Sequence, residues 1–366
     1  MKSIAMLLAA LFTLAAISVQ VDAKDATPRK LIEFGWDEPD TAFMRGHIAE
    51  MEKTPFDGCV FHARCIGADG KPANMLWDDW GKRAYTEAQI KPAIDDLKGT
   101  PFHRFTDNFL RFNVSPGDVD WFDDYSAIVN NVEFAARIAR EGHCAGILFD
   151  TEQYDHRLFD YRAQRDTGKK SWDEYARQAR QRGREVMNAF QKGYPGIKLL
   201  LTFSFSLPYQ ETRGDASKLP NARYGLLAPF LNGMVDAAND NVQIIDGFES
   251  SYGYKDITRF DTASDLMRDR VKSFVDDKQK YPKVCRVGFG VWIDEDWRKT
   301  GWNTEDVSKN FYSPDALEKT VRKALESSDE YVWIYTEQPR WWSDAGGPVK
   351  LPVAYEQAVR KAKSQP

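Results

Sequence analysis

Three glutamates of this sequence each end a short apolar segment, the position where barrel enzymes with parallel strands carry their catalytic groups. They are Glu152, Glu249 and Glu337, and Asp150 lies two positions before the first of them. Carboxylates that converge repel one another, and partial burial raises their pKa values, so one stays protonated as an acid while another stays ionised. Glycoside hydrolysis requires this division of roles. These four residues are therefore the candidate catalytic set.

Within this set we expect Glu152 to act as the general acid/base and Asp150 to orient or tune it. The second catalytic carboxylate is either Glu337 or Glu249, and the sequence does not choose between them. The alternative for each glutamate is an ion pair with an arginine. The candidate arginine partners are Arg64, Arg111 and Arg340.

Aromatic and polar side chains lie in, at or just past the ends of the same apolar segments. Indole rings offer flat surfaces to the C–H faces of sugars, so we interpret this set as substrate contacts. The candidate substrate-binding residues are Trp36, His62, Arg64, Asn113, Tyr252, Trp292, Trp333 and Trp341. Pro339 cannot donate to a sheet ladder and should end the last strand, which places Trp341 or Trp342 on the rim of a cleft. The alternative is that Trp341 and Trp342 pack under the C-terminal helix while Glu337 pairs with Arg340.

The elements that carry these residues alternate between strand and helix along the whole chain. The predicted strands are residues 31–36, 58–62, 109–113, 146–152, 197–204, 242–249, 286–293 and 331–337. The predicted helices are residues 41–53, 86–97, 124–141, 171–192, 224–238, 261–278, 313–327 and 353–363. Eight strand–helix repeats are typical of a parallel barrel, so the predicted fold class is α/β, a single-domain (β/α)8 TIM barrel. A doubly wound open sheet is the alternative, and the missing Gly-rich phosphate loop counts against it.

Side-chain alternation predicts which strand residues point into the barrel, because residues two apart share a face. On the strands that end in Glu152, Glu249 and Glu337, this rule places the glutamates on the inward face. Inward residues of alternate strands share layers in this fold, so the three carboxylates should converge. On the first strand the same rule selects Glu33 and Gly35 as inward residues. Two long connections, residues 64–107 and 207–223, follow strand ends and should shape a cleft.

The N-terminal segment has the pattern of a secretory signal peptide. Lys2 precedes an apolar run over residues 4–17, which is short for a membrane span, and Val21-Asp22-Ala23 fits a cleavage site. We predict cleavage after Ala23, which leaves residues 24–366 as the catalytic domain and makes the protein secreted or periplasmic. A retained membrane anchor is the alternative. We expect no stable membrane insertion after cleavage.

Composition excludes several function classes. The formal net charge of −5 argues against a nucleic-acid partner, which would need a basic face. The spacing of the four cysteines fits no zinc motif. The sequence does not decide whether Cys59 and Cys65 form a disulfide bridge. The sequence contains no G-x-S-x-G elbow and no P-loop. We therefore expect no cofactor and no metal, and a poly- or oligosaccharide as the partner.

The layout resembles the (β/α)8-barrel glycoside hydrolases, without a match to one family. In their largest clan the acid/base ends strand four and the nucleophile ends strand seven. Glu152 matches the first position, and the residues Asp294 and Glu295 lie near the second. Residues 145–152 also resemble the chitinase-type motif D-G-x-D-x-D-x-E, although its first two aspartates are replaced by Ala145 and Leu148. The resemblance implies a glycosidase in which the carboxyl group of Glu152 is the acid.

Two other functions use many of the same residues. A non-catalytic carbohydrate-binding barrel would keep the aromatic side chains and have its carboxylates saturated by arginines. A polysaccharide lyase would need a base near an arginine-lined pocket, for which His62 and Arg64 are candidates. The exported glycosidase is the leading hypothesis.

Overall fold

The structure is a computed structural model that describes residues 28–36, 38–296, 301–342 and 351–364. The predicted signal peptide, residues 1–23, lies outside the described residues. Among the helices that are described, none combines the length and the apolar character needed to cross a bilayer.

The described strands and helices follow the predicted alternation. The strands are β1 (Lys30–Gly35), β2 (Gly58–Phe61), β3 (Arg64–Ile66), β4 (Pro72–Asn74), β5 (Phe109–Asn113), β6 (Gly146–Asp150), β7 (Lys198–Leu201), β8 (Gln243–Asp246), β9 (Cys285–Val287), β10 (Phe289–Trp292) and β11 (Tyr331–Thr336). The helices are α1 (Thr41–Met51), α2 (Glu87–Lys98), α3 (Ser126–Glu141), α4 (Trp172–Gly193), α5 (Ser206–Thr212), α6 (Leu227–Ala237), α7 (Thr258–Arg268), α8 (Tyr281–Val284), α9 (Pro314–Ser327) and α10 (Val353–Ser364).

The main sheet closes into a barrel of eight parallel strands. Its strand order is β10-β11-β1-β2-β5-β6-β7-β8-β9. The strands β9 and β10 flank Gly288 and form one barrel strand, which pairs with β8 through its first half and with β11 through its second half. The backbone N–H of Gly288 donates to the carbonyl oxygen of Asp246 at 2.8 Å. The predicted (β/α)8 fold is confirmed.

A cluster of large apolar side chains fills the barrel interior. Trp333 is fully buried there, and its indole N–H donates to the carbonyl oxygen of Gly247 at 2.8 Å. A Cβ atom on Gly247 or on Gly290 would lie 3.0 Å or less from the Trp333 indole, so both glycines make room for this ring. The interior therefore separates two ends of the barrel: the mouth, where the carboxyl ends of the strands lie, and the base at the opposite end.

The first strand departs from the predicted alternation. Ile32 and Phe34 belong to the interior cluster, so Glu33 is on the opposite face, toward the helix layer, where it is fully buried. The expectation that Glu33 points inward is wrong because both faces of this strand are covered, and a charged residue between apolar neighbours does not reveal its face.

Helix caps set the positions of several elements as the sequence indicates. The Ser171 side chain accepts from the backbone N–H of Glu174 in the capping box that begins α4. The hairpin of β3 and β4 and the short helix α5 were not predicted. The hairpin carries the chain from the end of β2 to Asn74 and Trp77 at the mouth.

Candidate active site

A cavity of about 670 Å³ opens at the mouth of the barrel. All eight barrel strands or the loops just after them contribute side chains to it. The lining residues are Phe34, Gly35, Trp36, Glu38, His62, Asn74, Leu76, Trp77, Arg111, Asp150, Glu152, Tyr154, Thr202, Glu249, Tyr252, Trp292, Tyr335 and Glu337. The four candidate catalytic carboxylates therefore share one cavity with four of the candidate substrate contacts: Trp36, His62, Tyr252 and Trp292.

Asp150, the last residue of β6, is saturated by hydrogen bonds. One carboxylate oxygen accepts from the Thr202 hydroxyl at 3.0 Å and from the Glu152 backbone N–H at 3.1 Å. The other accepts from the Arg111 guanidinium at 2.7 Å and from the Tyr154 hydroxyl at 2.8 Å. The bond to the Glu152 backbone fixes the start of the loop after β6. Asp150 is thus built to hold other groups in place.

Arg111 lies between two carboxylates and is largely buried. Its guanidinium donates to Glu38 at 2.9 Å as well as to Asp150. The His62 ring lies 3.3 Å from the other oxygen of Glu38. Against the opposing effect of burial, Arg111 and His62 hold the pKa of Glu38 below its usual range. The charge of Arg111 is therefore committed to protein carboxylates.

Glu152 and Glu249 differ from these residues because no guanidinium or ammonium group of the described residues forms an ion pair with them. Burial, and then the charge of Asp150, raises the pKa of Glu152. Burial, and then the charges of Glu152 and Asp150, raises the pKa of Glu249 well above its usual range. Because the charge of Glu152 opposes ionisation of Glu249, Glu249 keeps its proton to a higher pH than it would beside a neutral residue. In such a pair one member holds a proton at a pH where the other is ionised.

The turn that carries Glu249 has an unusual backbone. Phe248 has a φ of 41°, in the left-handed region, and its ring is buried against Phe289. A left-handed conformation in a residue with a side chain costs on the order of 1–3 kcal/mol and persists only where the surroundings enforce it. The Ser251 hydroxyl fixes this turn by donating to the carbonyl oxygen of Gly290 at 2.7 Å. The strained residue, Phe248, immediately precedes Glu249, which lines the cavity.

Glu337 lies on the opposite part of the cavity wall. Burial, and then the nearby Asp294 and Asp296, raises the pKa of its carboxyl group, while Arg340 opposes this effect. The Arg340 guanidinium donates to the backbone carbonyl oxygen of Glu337. An ion pair between the Glu337 carboxylate and Arg340, the alternative for this residue, is not formed within the described residues.

The carboxylates at the end of strand seven do not line the cavity. Asp294 is buried and accepts from the Trp292 indole at 2.9 Å and from the backbone N–H groups of Glu337 and Gln338 at 3.0 and 2.8 Å. Glu295 is buried as well. The nucleophile position implied by the resemblance is therefore occupied by a residue that anchors the turn after β11.

Aromatic side chains form one wall of the cavity and part of its rim. Tyr252 and Tyr335 stack with centroids 5.4 Å apart and planes 15° apart. The Trp36 indole N–H donates to the Tyr335 hydroxyl at 2.8 Å, although the Trp36 side chain is 70% exposed. Trp77 is 59% exposed at the rim. Flat apolar surfaces fixed by hydrogen bonds are available to a ring-shaped ligand.

Four of the candidate substrate contacts lie outside the cavity. Trp333 is the interior residue described above, because Gly247 and Gly290 leave room for it. Asn113 is buried, and its side-chain oxygen accepts from the Ser115 backbone N–H at 2.8 Å. Arg64 is exposed on β3, and its closest ion-pair contact is Asp40 at 4.0 Å.

Trp341 is the fourth candidate substrate contact that lies outside the cavity. It packs edge-on against Phe56, with ring centroids 4.6 Å apart. Trp342 packs near Phe105 at 6.2 Å. Both indoles join the core around the barrel, so the expectation that one of them walls the cleft is not met. The sequence could not reveal this packing, because Phe56 lies far away in the chain.

The candidate catalytic and substrate-binding set lacks several residues that line the cavity, among them Glu38, Trp77, Arg111, Tyr154 and Tyr335. Two of them, Arg111 and Tyr335, are on inward faces that the alternation rule identifies. Glu38 and Tyr154 follow strand ends, as the chosen residues do. A rule that accepts every polar or aromatic residue within four positions of a strand end would have included both.

The described residues contain neither a cluster of metal-ligating side chains nor a disulfide bridge. Within residues 28–36, 38–296, 301–342 and 351–364, no group of three or more His, Cys, Asp or Glu side chains is arranged to hold a metal ion. The four cysteines, all described, are thiols. The Cys59–Cys65 bridge is not formed, and burial raises the pKa of the Cys65 thiol to about 12.

Comparisons with known proteins give structural likeness alone. No protein-family model and no curated protein matches the chain. A GH5-4 broad specificity endoglucanase from an uncultured bacterium aligns with a TM-score of 0.48 and 14% identity, over 88% of this chain and 85% of that one. An endocellulase from Pyrococcus horikoshii, in complex with cellotetraose, aligns with a TM-score of 0.47 and 11% identity over 92% of each chain.

A sugar phosphate isomerase/epimerase from Parabacteroides distasonis aligns with a TM-score of 0.41 and 11% identity, over 93% of this chain and 94% of that one. At this level of similarity no conclusion about chemistry rests on these proteins. The fold is a closed parallel (β/α)8 barrel, without assignment to a specific family.

Proposed function

We propose that this protein is an exported glycoside hydrolase that cleaves a poly- or oligosaccharide at the mouth of the barrel. One observation carries the proposal: Glu152 and Glu249 line the same cavity, both have raised pKa values, and neither has a cationic partner among the described residues. Two such carboxyl groups, of which one holds a proton while the other is ionised, supply the acid and the base or nucleophile that glycoside hydrolysis needs.

The electrostatics favour Glu249 as the member that holds the proton. Its pKa is raised by burial and by two neighbouring carboxylates, Glu152 and Asp150. The charge of Arg111 lowers both pKa values, but for Glu152 the hydroxyl of Tyr154 and the charge of Arg223 also oppose the effects of burial and Asp150. Glu249 would then protonate the glycosidic oxygen, and Glu152 would act as base or nucleophile. This division of roles departs from the sequence-based prediction that Glu152 is the general acid/base, and that prediction is untested.

Asp150 and Arg111 would hold this pair in its working arrangement. Asp150 binds the backbone of Glu152 and is itself held by Arg111, Thr202 and Tyr154. A catalytic group must be held within a fraction of an ångström by residues that are locked themselves. Asp150 is therefore proposed as a positioning residue.

Both rival functions fit these side chains less well. A carbohydrate-binding barrel predicts carboxylates saturated by arginines, and this holds for Asp150 and Glu38 but not for Glu152 or Glu249. A lyase needs a cation free to neutralise an acidic sugar, and Arg111 is already paired with two carboxylates. Arg64, the other candidate for that role, lies outside the cavity.

Export is part of the proposal and rests on the N-terminal sequence alone. N-terminal sequencing of protein collected from the producing cells should begin at Lys24. A mature protein that retains residues 1–23 would contradict cleavage after Ala23.

The activity is tested by a hydrolysis screen of neutral poly- and oligosaccharides with residues 24–366. On any substrate that is cleaved, Glu152→Gln and Glu249→Gln should each lower kcat on the order of 10²–10⁴-fold, the usual contribution of a positioned acid or base. Glu326→Gln is the matched control, because Glu326 is an exposed glutamate on α9. Full activity in both cavity variants would reject the proposal.

A further inference from the structure

A second groove lies on the side of the barrel, between α5 and α7, with a volume of about 290 Å³. Its lining residues are Tyr209, Gln210, Arg213, Phe248, Tyr254, Arg259, Thr262, Ala263, Leu266 and Arg270. No carboxylate is among these residues. In a chain with a formal net charge of −5, a groove with three arginines and no acidic side chain in its lining is unusual.

The three arginines form no ion pair within the described residues, unlike most arginines of this protein. Arg180 and Arg184, for example, both bind Asp236 at 2.7 and 2.6 Å. The side chains of Arg213, Arg259 and Arg270 are all exposed. Their guanidinium groups are therefore available to a ligand.

Two of the three arginines are held by the local structure. Arg259 lies over the Tyr254 ring, 3.8 Å from its centroid, an arrangement that leaves the guanidinium edge open to an acceptor. The charge of Arg259 acts on Asp256, but the two form no ion pair, and one oxygen of the Asp256 carboxylate accepts from the backbone N–H and hydroxyl of Thr258 at 3.1 and 2.7 Å. Arg213 ends α5 in the left-handed region, with a φ of 54°.

Apolar and aromatic groups lie between the charged ones. Ala263 and Leu266 are three positions apart on α7 and share one face of it, and Tyr209 faces them from α5. A groove with this combination suits a ring with an apolar face and a negatively charged substituent. Its volume is near the lower end of small-molecule sites, about 300 Å³, and fits a ligand of one ring.

We propose that this groove binds a sugar ring that carries an oxyanion, either a sulfate or a carboxylate. Guanidinium groups bind such oxyanions with paired, charge-assisted hydrogen bonds. The site is separate from the cavity that holds Glu152 and Glu249, although Phe248 lines the groove and the next residue, Glu249, lines the cavity. Ligand binding here does not require that the protein hydrolyse glycosides.

Isothermal titration of residues 24–366 at fixed ionic strength tests the proposal. The probes are glucose 6-sulfate, glucuronate, glucose and inorganic sulfate. We expect saturable binding of at least one of the charged sugars, weaker binding of inorganic sulfate, and none of glucose. Comparison of the first two probes tells a sulfate site from a carboxylate site. Equal affinity for inorganic sulfate and glucose 6-sulfate would overturn the sugar assignment, and no saturable binding of either charged sugar would overturn the site.

Variants locate the binding. Arg213→Gln, Arg259→Gln and Arg270→Gln should each weaken the affinity roughly tenfold, the loss expected for one charge-assisted hydrogen bond. Arg177→Gln is the matched control, because Arg177 is also exposed and forms no ion pair among the described residues. An equal loss in the control would show general charge attraction and contradict the site. Unchanged melting temperatures establish that the variants are folded.

Discussion

The two ends of the barrel differ in that the mouth, unlike the base, holds buried glutamates without a cationic partner among the described residues. At the base, Lys30 lies 3.1 Å from Asp107, and Lys198 lies 2.7 Å from Glu330. The Tyr331 hydroxyl donates to Asp107 at 2.7 Å and joins the two pairs by accepting from Lys198 at 2.8 Å. Each of these four charges therefore has a partner of opposite sign.

At the mouth, the carboxylates of Glu152 and Glu249 face a cavity, and no lysine or arginine in the described part of the chain pairs with them. The consequence appears in the pKa values: against the effect of burial, Tyr331, Thr106 and Lys30 hold the pKa of Asp107 below its usual range, whereas the pKa of Glu249 is raised. The base is arranged for stability, and under the proposed function the mouth is arranged for proton transfer, the usual division in barrels of this fold.

The largest effect on stability is expected for the indole that separates the two ends. Trp333→Ala should lower the free energy of unfolding by about 3–5 kcal/mol, because a fully buried indole is replaced by a cavity. Trp36→Ala is the matched control, since this indole is 70% exposed, and should change it by less than about 0.5 kcal/mol. Urea denaturation measures both, and equal losses would contradict the burial of Trp333.

A smaller loss is expected at the base. Lys30→Met removes the ammonium partner of Asp107 but leaves the hydrogen bonds of Tyr331 and Thr106 in place. We expect the free energy of unfolding to fall by about 1–3 kcal/mol near neutral pH. Because the folded-state pKa of Asp107 is lowered, this contribution is present above its unfolded pKa and disappears as the pH falls through the folded one.

Lys53→Met is the control for this variant. Its partner Glu50 is as exposed as Lys53 itself, and exposed pairs contribute less than about 1 kcal/mol. A loss in Lys30→Met that is no larger than in Lys53→Met, or that persists unchanged in acid, would contradict the contrast between the two ends.

The smallest expected effect on the free energy of unfolding is an increase. Glu249→Gln removes a carboxylate whose pKa is raised in the folded state, a group that lowers stability as the pH rises through that value. The variant should therefore be more stable than the unchanged protein at pH 8, by about 0.5–2 kcal/mol. The difference should vanish below about pH 4, where the carboxyl group is protonated in both states. A loss of stability at pH 8 would indicate that Glu249 has a partner which its substitution breaks.

The sequence predicted the barrel because strand and helix alternate with a clear period, and alternation along β6 and β11 placed Asp150 and Tyr335 on the inward side. The sequence did not predict contacts between segments that lie far apart in the chain. Alternation correctly aims Trp333 inward, but it does not show that Gly247 and Gly290 make room for the ring, which is buried in the interior and does not line the cavity. Trp341 contacts Phe56, which lies far away in the chain. Such complementarity between distant segments has no local signature.

The division of roles at the mouth was also beyond the sequence. Asp150 and Glu152 are equally acidic residues two positions apart. Only the position of Arg111, from a different strand, reveals that the first is paired and the second is not. Electrostatic environment, rather than residue type, distinguishes a positioning carboxylate from a catalytic one.

The central claim is that Glu152 and Glu249 titrate as a pair in which Glu249 holds the proton. The direct measurement is a carbon-13 NMR titration of the glutamate carboxyl groups in the folded protein, with Glu249 assigned from its loss in Glu249→Gln. We expect Glu249 to titrate above the ordinary glutamate value of about 4.3, and to move toward that value in Glu152→Gln because a neighbouring charge is gone. A Glu249 carboxyl that titrates at or below the ordinary value, unaffected by Glu152→Gln, would contradict the account.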